Sequence, residues 1–215
     1  MIFRLDEKDI TFPPAELAEE DGLLAVGGDL SPQRLLSAYR QGIFPWYSEE
    51  TPILWYSPHQ RFVLFPQKLK ISKSTRQVLR SGKFQISENQ AFEQVIAACA
   101  QTERKDQPGT WIVPEMQEAY NKLHQLKHAH SVEVWQDERL VGGLYGVVIG
   151  NVFCGESMFS TASNASKIAL IALCQQKKYT LIDCQLHTEH LESMGAEFIS
   201  REEYMSYLDI SSESP

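Results

Sequence analysis

Glu156, Asp183 and Gln185 are the polar side chains best placed to do chemistry. Glu156 stands beside Gly155 and among large apolar residues in Phe153-Cys-Gly-Glu-Ser-Met-Phe-Ser160. Asp183 and Gln185 end the apolar run Leu181-Ile182 and lie two residues apart, so strand alternation puts both on one side. A carboxylate at the C-terminal end of an apolar strand suits acid/base work or capture of a cation. It suits a buried, hydrogen-bonded structural role equally well, and the residues alone leave both open.

Other chemistries lack their parts. The chain has no Gly-x4-Gly-Lys-Ser/Thr loop, no Gly-x-Ser-x-Gly elbow and no cysteine beside an obvious histidine base. Gly142-Gly143-Leu-Tyr-Gly146 lies inside a strand pattern and opens no helix, so these glycines point to close backbone approach rather than to a dinucleotide. Cys184-x2-His187-x2-His190 offers three metal-ligand types without a fourth. Asn164-Ala-Ser166 reads as a helix cap.

The elements that must position the three polar residues follow from periodicity and turn chemistry. Ser31-Pro32 starts a helix that stops at Gly42. Further helices are expected at about 72–82, 89–101, 114–126, 164–176, 187–193 and 202–208. Strands are expected at 84–87, 131–135, 140–149, 152–158, 181–184 and 197–199, with turns at 136–138 and 150–151. The class is α+β: a mainly antiparallel sheet covered by helices. Residues 1–62 form a small N-terminal domain and 63–215 the larger one, with Pro66 near the boundary.

The 215 residues carry a net charge of −8, unevenly spread. Residues 51–87 contain no acid and seven bases, leaving −15 on the other 178 residues. Lys73, Arg76, Arg80 and Lys83 recur at spacings of three, four and three, one face of a helix capped by Ser72. Such a face suits nucleic-acid phosphates, though a solvated helix face has the same look. Trp46, Tyr47, Trp55, Tyr56 and Trp111 cluster near Pro/Gly turns, where exposed rings could stack on bases. Each also suits ordinary core. A 43% hydrophobic composition excludes disorder, and four sparse cysteines exclude a disulfide scaffold. With no run of about 18 apolar residues and no signal-peptide layout, a cytoplasmic protein is expected.

Several segments in order carry a family resemblance: Leu23-Leu-Ala-Val-Gly-Gly-Asp-Leu-Ser, Gly42-Ile-Phe-Pro-Trp, Trp55-Tyr-Ser-Pro, Gly109-Thr-Trp-Ile, His128-Ala-His-Ser-Val-Glu-Val-Trp, Phe153-Cys-Gly-Glu-Ser-Met-Phe-Ser, Asn164-Ala-Ser-Lys and Leu181-Ile-Asp-Cys-Gln. Together they resemble the bacterial leucyl/phenylalanyl-tRNA–protein transferases over about residues 10–208. The resemblance implies a small N-terminal domain followed by a domain similar to the GNAT acyltransferases. It implies transfer of Leu, Phe or less readily Met from tRNA to the α-amine of proteins beginning with Arg or Lys, marking them for N-end-rule degradation. It implies no metal, no cofactor, no membrane and a monomer.

By the same resemblance Asp183, Gln185 and Glu156 are catalytic. Tyr120, Phe153, Met158, Leu170, Leu173 and Ile182 line the aminoacyl pocket. Trp46, Trp111 and Tyr39 hold the 3′-adenosine, and Lys73, Arg76, Arg80 and Lys83 hold the tRNA backbone. Leu173 stands where some relatives carry an aromatic residue, which could shift the preference between Leu and Phe. Two alternatives are weaker. A CoA-dependent GNAT enzyme needs a glycine-rich phosphate loop, and Phe159-Ser-Thr-Ala-Ser-Asn164 has no glycine. A non-catalytic tRNA-binding module leaves Glu156, Asp183 and Gln185 without a role.

Overall fold

A computed structural model describes residues 2–102 and 112–208. The first part of the chain builds a four-stranded sheet from β1 (Phe3–Leu5), β2 (Leu23–Gly27), β3 (Phe44–Pro45) and β4 (Leu54–Tyr56), in the order β1-β2-β4-β3. Helix α1 (Pro32–Arg40) starts where Ser31-Pro32 places it, with Ser31 Oγ accepting the Arg34 N–H. Arg34 is buried and donates to the carbonyls of Asp6, Glu7 and Asp9, which fastens the N-terminal segment onto α1. Trp55 is core: it is fully buried and donates to the Gly27 carbonyl at 2.8 Å, so its place near a turn does not make it a stacking platform.

The larger sheet holds β5 (Gln60–Leu64), β6 (Gln85–Glu88), β7 (Ala129–Gln136), β8 (Arg139–Ile149), β9 (Val152–Ser160), β10 (Leu181–Gln185) and β11 (Glu197–Ser200), in the order β11-β5-β10-β9-β8-β7-β6. Every pairing is antiparallel except β9 with β10, which is parallel. Around it lie α2 (Lys73–Arg80), α3 (Phe92–Gln101), α4 (Pro114–Gln125), α5 (Ala165–Gln175), the short α6 (Glu189–Ser193) and α7 (Arg201–Leu208). The fold is α+β. A parallel pair needs a crossover, and α5 supplies it between β9 and β10. One apolar cluster joins the small sheet, α1, α3, α4 and α7. The other packs α5 on the sheet, with α2 against its edge.

Gly142 and Gly146 are where backbone and side chains crowd: an added Cβ would collide with Ala165 at Gly142 and with the Cys154 carbonyl at Gly146. The expected close approach is therefore their role. Asn164 precedes α5 in a left-handed conformation, and its side chain caps nothing; the amide donates to Ser163 instead. Strand β5 was not foreseen, and it contains both Phe62 and Val63.

Candidate active site

The site opens where β9 and β10 part. They pair only from Leu181–Asp183 to Val152–Cys154, and each strand then carries an irregularity. On β9 the register with β8 runs Gly155 to Gly146 and Ser157 to Tyr145, so Glu156 is the extra residue of a bulge. On β10 the register with β5 runs Asp183 to Val63 and Gln185 to Phe62, so Cys184 is extra, and Gln185 takes φ +59°. Bulges re-aim side chains. Here the two bulges face each other, and Gln185 Nε2 donates to Glu156 Oε1 at 2.9 Å across the gap. The expected two-residue strand alternation from Asp183 to Gln185 is thus broken by the bulge. Gln185 reaches the network through a left-handed backbone turn, a conformation that a glutamine holds only where its surroundings enforce it.

Two buried networks meet at this bridge. Glu156 accepts from Tyr39 at 2.7 Å and from Tyr120 at 3.2 Å, and the two tyrosine hydroxyls also bond each other. Burial raises the Glu156 pKa to about 7, against the pull of the tyrosine hydrogen bonds, with Asp183 adding to the rise. Burial and the neighbouring Glu156 also hold both tyrosines well above their usual range, so they remain donors.

Asp183 is fully buried behind the bridge. Its Oδ2 accepts from Arg61 Nη2 at 2.5 Å and Tyr204 at 2.9 Å, and its Oδ1 accepts from Arg61 Nε at 3.3 Å and the Gln185 N–H at 2.9 Å. Arg61 is itself buried between the Phe44 and Tyr204 rings, and donates to the Gly42 carbonyl at 3.0 Å. Burial disfavours its charge, but Asp183 outweighs that and raises its pKa.

A cavity of about 640 Å³ opens at the gap. Phe153, Met158, Leu170, Leu173 and Ile182 line it, together with Leu144 and Leu191. Its other walls include Trp46, Glu156, Asp183, Gln185 and His190. An apolar lobe therefore adjoins a carboxylate and a primary amide, an arrangement able to hold an apolar side chain while hydrogen-bonding a polar group attached to it.

A family model described as leucyl/phenylalanyl-tRNA protein transferase matches residues 63–209, and its N-terminal domain model matches residues 28–59. The chain belongs to the leucyl/phenylalanyl-tRNA protein transferase family. Its members, this chain included, are aminoacyltransferases. A leucyl/phenylalanyl-tRNA–protein transferase of Syntrophus aciditrophicus (strain SB) is 60% identical over 204 residues, 94% of this chain and 85% of that protein. One from Flavobacterium johnsoniae is 55% identical, over 94% of this chain and 96% of that protein. A looser likeness runs to a GCN5-related N-acetyltransferase from Kribbella flavida, at a TM-score of 0.37 and 9% identity, covering 77% of this chain and 60% of that one.

Tyr39 and Tyr120 stand together around Glu156. Tyr39, expected beside the adenosine, is only 1% exposed, with its hydroxyl spent on Glu156 and Tyr120. It supports the carboxylate. Tyr120, expected in the aminoacyl lobe, belongs to the same network and is fully buried behind it. Trp46 lies on the cavity wall, half-buried, whereas Trp111 lies outside the described residues.

Lys73, Arg76 and Arg80 stand on α2, whose start is capped by Ser72 through the Thr75 N–H. Lys83 falls past the helix end, so it extends the basic strip rather than completing a helical face. All four are exposed, with no ion pair among the described residues. Cys184, His187 and His190 do not come together as a metal-holding group; His187 bonds Glu192 at 2.9 Å.

Arg61 and Tyr204 were missed. The signal for Arg61 was an arginine directly before the apolar run Phe62-Val-Leu-Phe65, which needs a partner if it is buried with that run. Counting it with the surface charge of residues 51–87 hid that signal. Nothing in the sequence marked Tyr204.

The raised Glu156 pKa has a consequence for stability. Between the ordinary carboxylate pKa and about 7, the folded chain holds a proton that the unfolded chain has released, so folding weakens as pH rises through that window. Glu156→Gln removes the titration. The stability of the variant relative to the parent is expected to improve by about 3 kcal/mol between pH 5 and pH 8. Urea unfolding at both pH values checks this; a difference that does not change with pH contradicts it.

Proposed function

We propose that the chain moves Leu or Phe, and less readily Met, from tRNA onto the α-amine of proteins beginning with Arg or Lys, and so marks them for N-end-rule degradation. The observation that carries this is the Gln185–Glu156 bridge over the gap between β9 and β10, at the edge of the apolar lobe. The side chain of the aminoacyl group fills the lobe, which leaves its ester at the bridge. Trp46, with Trp111, flanks the terminal adenosine. The ester is already activated, so the work left is positioning and proton management.

The incoming amine, with a reference pKa of about 7.7–8.0, must lose a proton before it attacks. Ionised Glu156 draws in the cationic N-terminus, and a carboxylate with a pKa of about 7 is matched to accept that proton. Gln185 gives its N–H to Glu156, which leaves its carbonyl oxygen to hold an N–H of the amine in line with the ester. The amine nitrogen then bonds the ester carbon, the bond to the ribose 3′-oxygen breaks, and that oxygen leaves with a proton as the tRNA hydroxyl. Asp183, paired with Arg61, orients Gln185 through its backbone N–H.

The exposed strip Lys73, Arg76, Arg80 and Lys83 holds the tRNA acceptor stem by its phosphates, which makes binding salt-dependent and weakly sequence-dependent. The test is the rate of Phe transfer from tRNA to an Arg-initiated protein across a salt series. Arg76→Ala/Arg80→Ala should raise KM for Phe-tRNA several-fold, leave kcat close to the parent, and reduce the log–log salt slope by about 1.5. An unchanged slope removes α2 from the tRNA interface.

A further inference from the structure

We propose that Tyr39 and Tyr120 are positioning residues of the transfer: their hydroxyls fix the Glu156 carboxyl at the gap and favour its ionised form over its protonated one. This rests on the role given to Glu156 above. The two side chains come from α1 and α4, 81 positions apart in the chain, and meet at one carboxylate on β9. Tyr39 reaches Oε1 at 2.7 Å and Tyr120 reaches Oε2 at 3.2 Å, so each carboxylate oxygen has a tyrosine donor. Their mutual bond keeps the two hydroxyls together there. Both residues are buried, and a phenylalanine would fill either place without a hydroxyl to satisfy.

Bonds to an ionised carboxylate are about twice as strong as bonds to a neutral carboxyl. Tyr39, Tyr120 and Gln185 therefore favour the anion, against a burial that favours the neutral acid. The balance leaves the carboxyl at about 7. Asp183 of β10 also opposes the anion, and it is itself paired with Arg61 of β5 and bonded to Tyr204 of α7, away from both tyrosines. Burial keeps Cys154 of β9 a neutral thiol. Tyr145 of β8 packs its ring on that of Tyr120, and His187 and His190 stand on the cavity wall. Losing a tyrosine donor thus leaves Glu156 protonated at neutral pH. In that form it can neither draw in a cationic N-terminus nor accept its proton.

Carbon NMR of the chain labelled at the glutamate side-chain carboxyls follows the titration directly, with Glu156→Gln assigning the signal. In Tyr39→Phe the Glu156 midpoint should rise by about one pH unit. In Tyr120→Phe, whose contact is longer, it should rise by less. The rate of Phe transfer is read as a ratio to the parent, in which the ionisation of the acceptor amine cancels. For Tyr39→Phe that ratio should be roughly eightfold low at pH 6.5 and close to one at pH 9. Added to Glu156→Gln, Tyr39→Phe should cost nothing further, because the tyrosine acts through the carboxyl. Should Tyr39→Phe fail to fold, Tyr120→Phe carries the same test. An unmoved midpoint overturns the proposal. So does a loss of rate that is equal at every pH and adds to that of Glu156→Gln, the mark of tyrosines that only hold the fold. A Glu156→Gln variant that transfers as fast as the parent would instead overturn the role given to Glu156, whatever the midpoints do.

Discussion

Arg61→Met lowers the unfolding midpoint by about 10 °C, the largest single loss expected in this chain. The guanidinium and the Asp183 carboxylate are both fully buried and bonded to each other by two contacts, of 2.5 and 3.3 Å. Removing one partner leaves the other charge in the interior, a defect worth about 3–5 kcal/mol. Tyr204 and the Gln185 N–H would still reach Asp183, but neither carries a charge. Methionine keeps much of the arginine stem's packing between Phe44 and Tyr204, so the loss reports the charge and not a cavity. The control is Arg61→Met/Asp183→Leu, in which no charge is stranded and most of the stability returns. That double variant should fold and remain inactive, because the backbone N–H of Gln185 has lost its acceptor. Thermal unfolding of both variants settles the matter; a single variant as stable as the parent would show that the pair does not hold the site.

Gln185→Ala is expected to lower kcat for Phe transfer by about 10²–10³-fold, with KM for Phe-tRNA changed far less. The asymmetry follows from the position of the amide. Gln185 faces the gap proposed for the ester, whereas the proposed acceptor-stem contacts lie elsewhere, on α2 and Lys83. Truncation removes the bridge to Glu156 and, with it, the acceptor proposed for the incoming amine. Glu156 keeps its bonds to Tyr39 and Tyr120, so the fold around it should survive, and the unfolding midpoint checks that. Steady-state kinetics with a fixed Arg-initiated acceptor separates the two parameters. A large rise in KM at constant kcat would make Gln185 a binding residue and remove it from the chemical step.

Much of this arrangement was legible in the residues because the signals were local. Ser31-Pro32 and Ser72 announce helix starts through caps that the structure contains. The turn at Asp137-Glu138 and the one at Gly150 show as breaks between apolar runs, and both use left-handed backbone. The apolar positions Phe153, Met158, Leu170, Leu173 and Ile182, which line one cavity, were named by the family resemblance and not by periodicity; Phe153 and Met158 lie five apart and share a face only because Glu156 bulges. What stayed hidden depended on long-range pairing. Arg61 lies 122 positions from Asp183 in the chain, and no local pattern joins them. Strand β5 is inserted between β10 and β11, so it pairs with strands that come more than a hundred residues later. The two bulges are invisible to a period-two pattern, since each exists only in the register with a neighbour. Tyr39 and Tyr120 looked like binding-site aromatics; only the fold reveals that both hydroxyls turn inward to one carboxylate.

The central claim is that this chain joins an amino acid carried by tRNA to a basic N-terminus. The most direct measurement is the intact mass of an Arg-initiated acceptor protein after incubation with the enzyme and Phe-tRNA. The account predicts a gain of one phenylalanyl residue, placed before the arginine by sequencing of the N-terminus, and no gain when the α-amine is blocked by acetylation. An acceptor of unchanged mass beside intact Phe-tRNA, or a gain that persists on the acetylated protein, would contradict it.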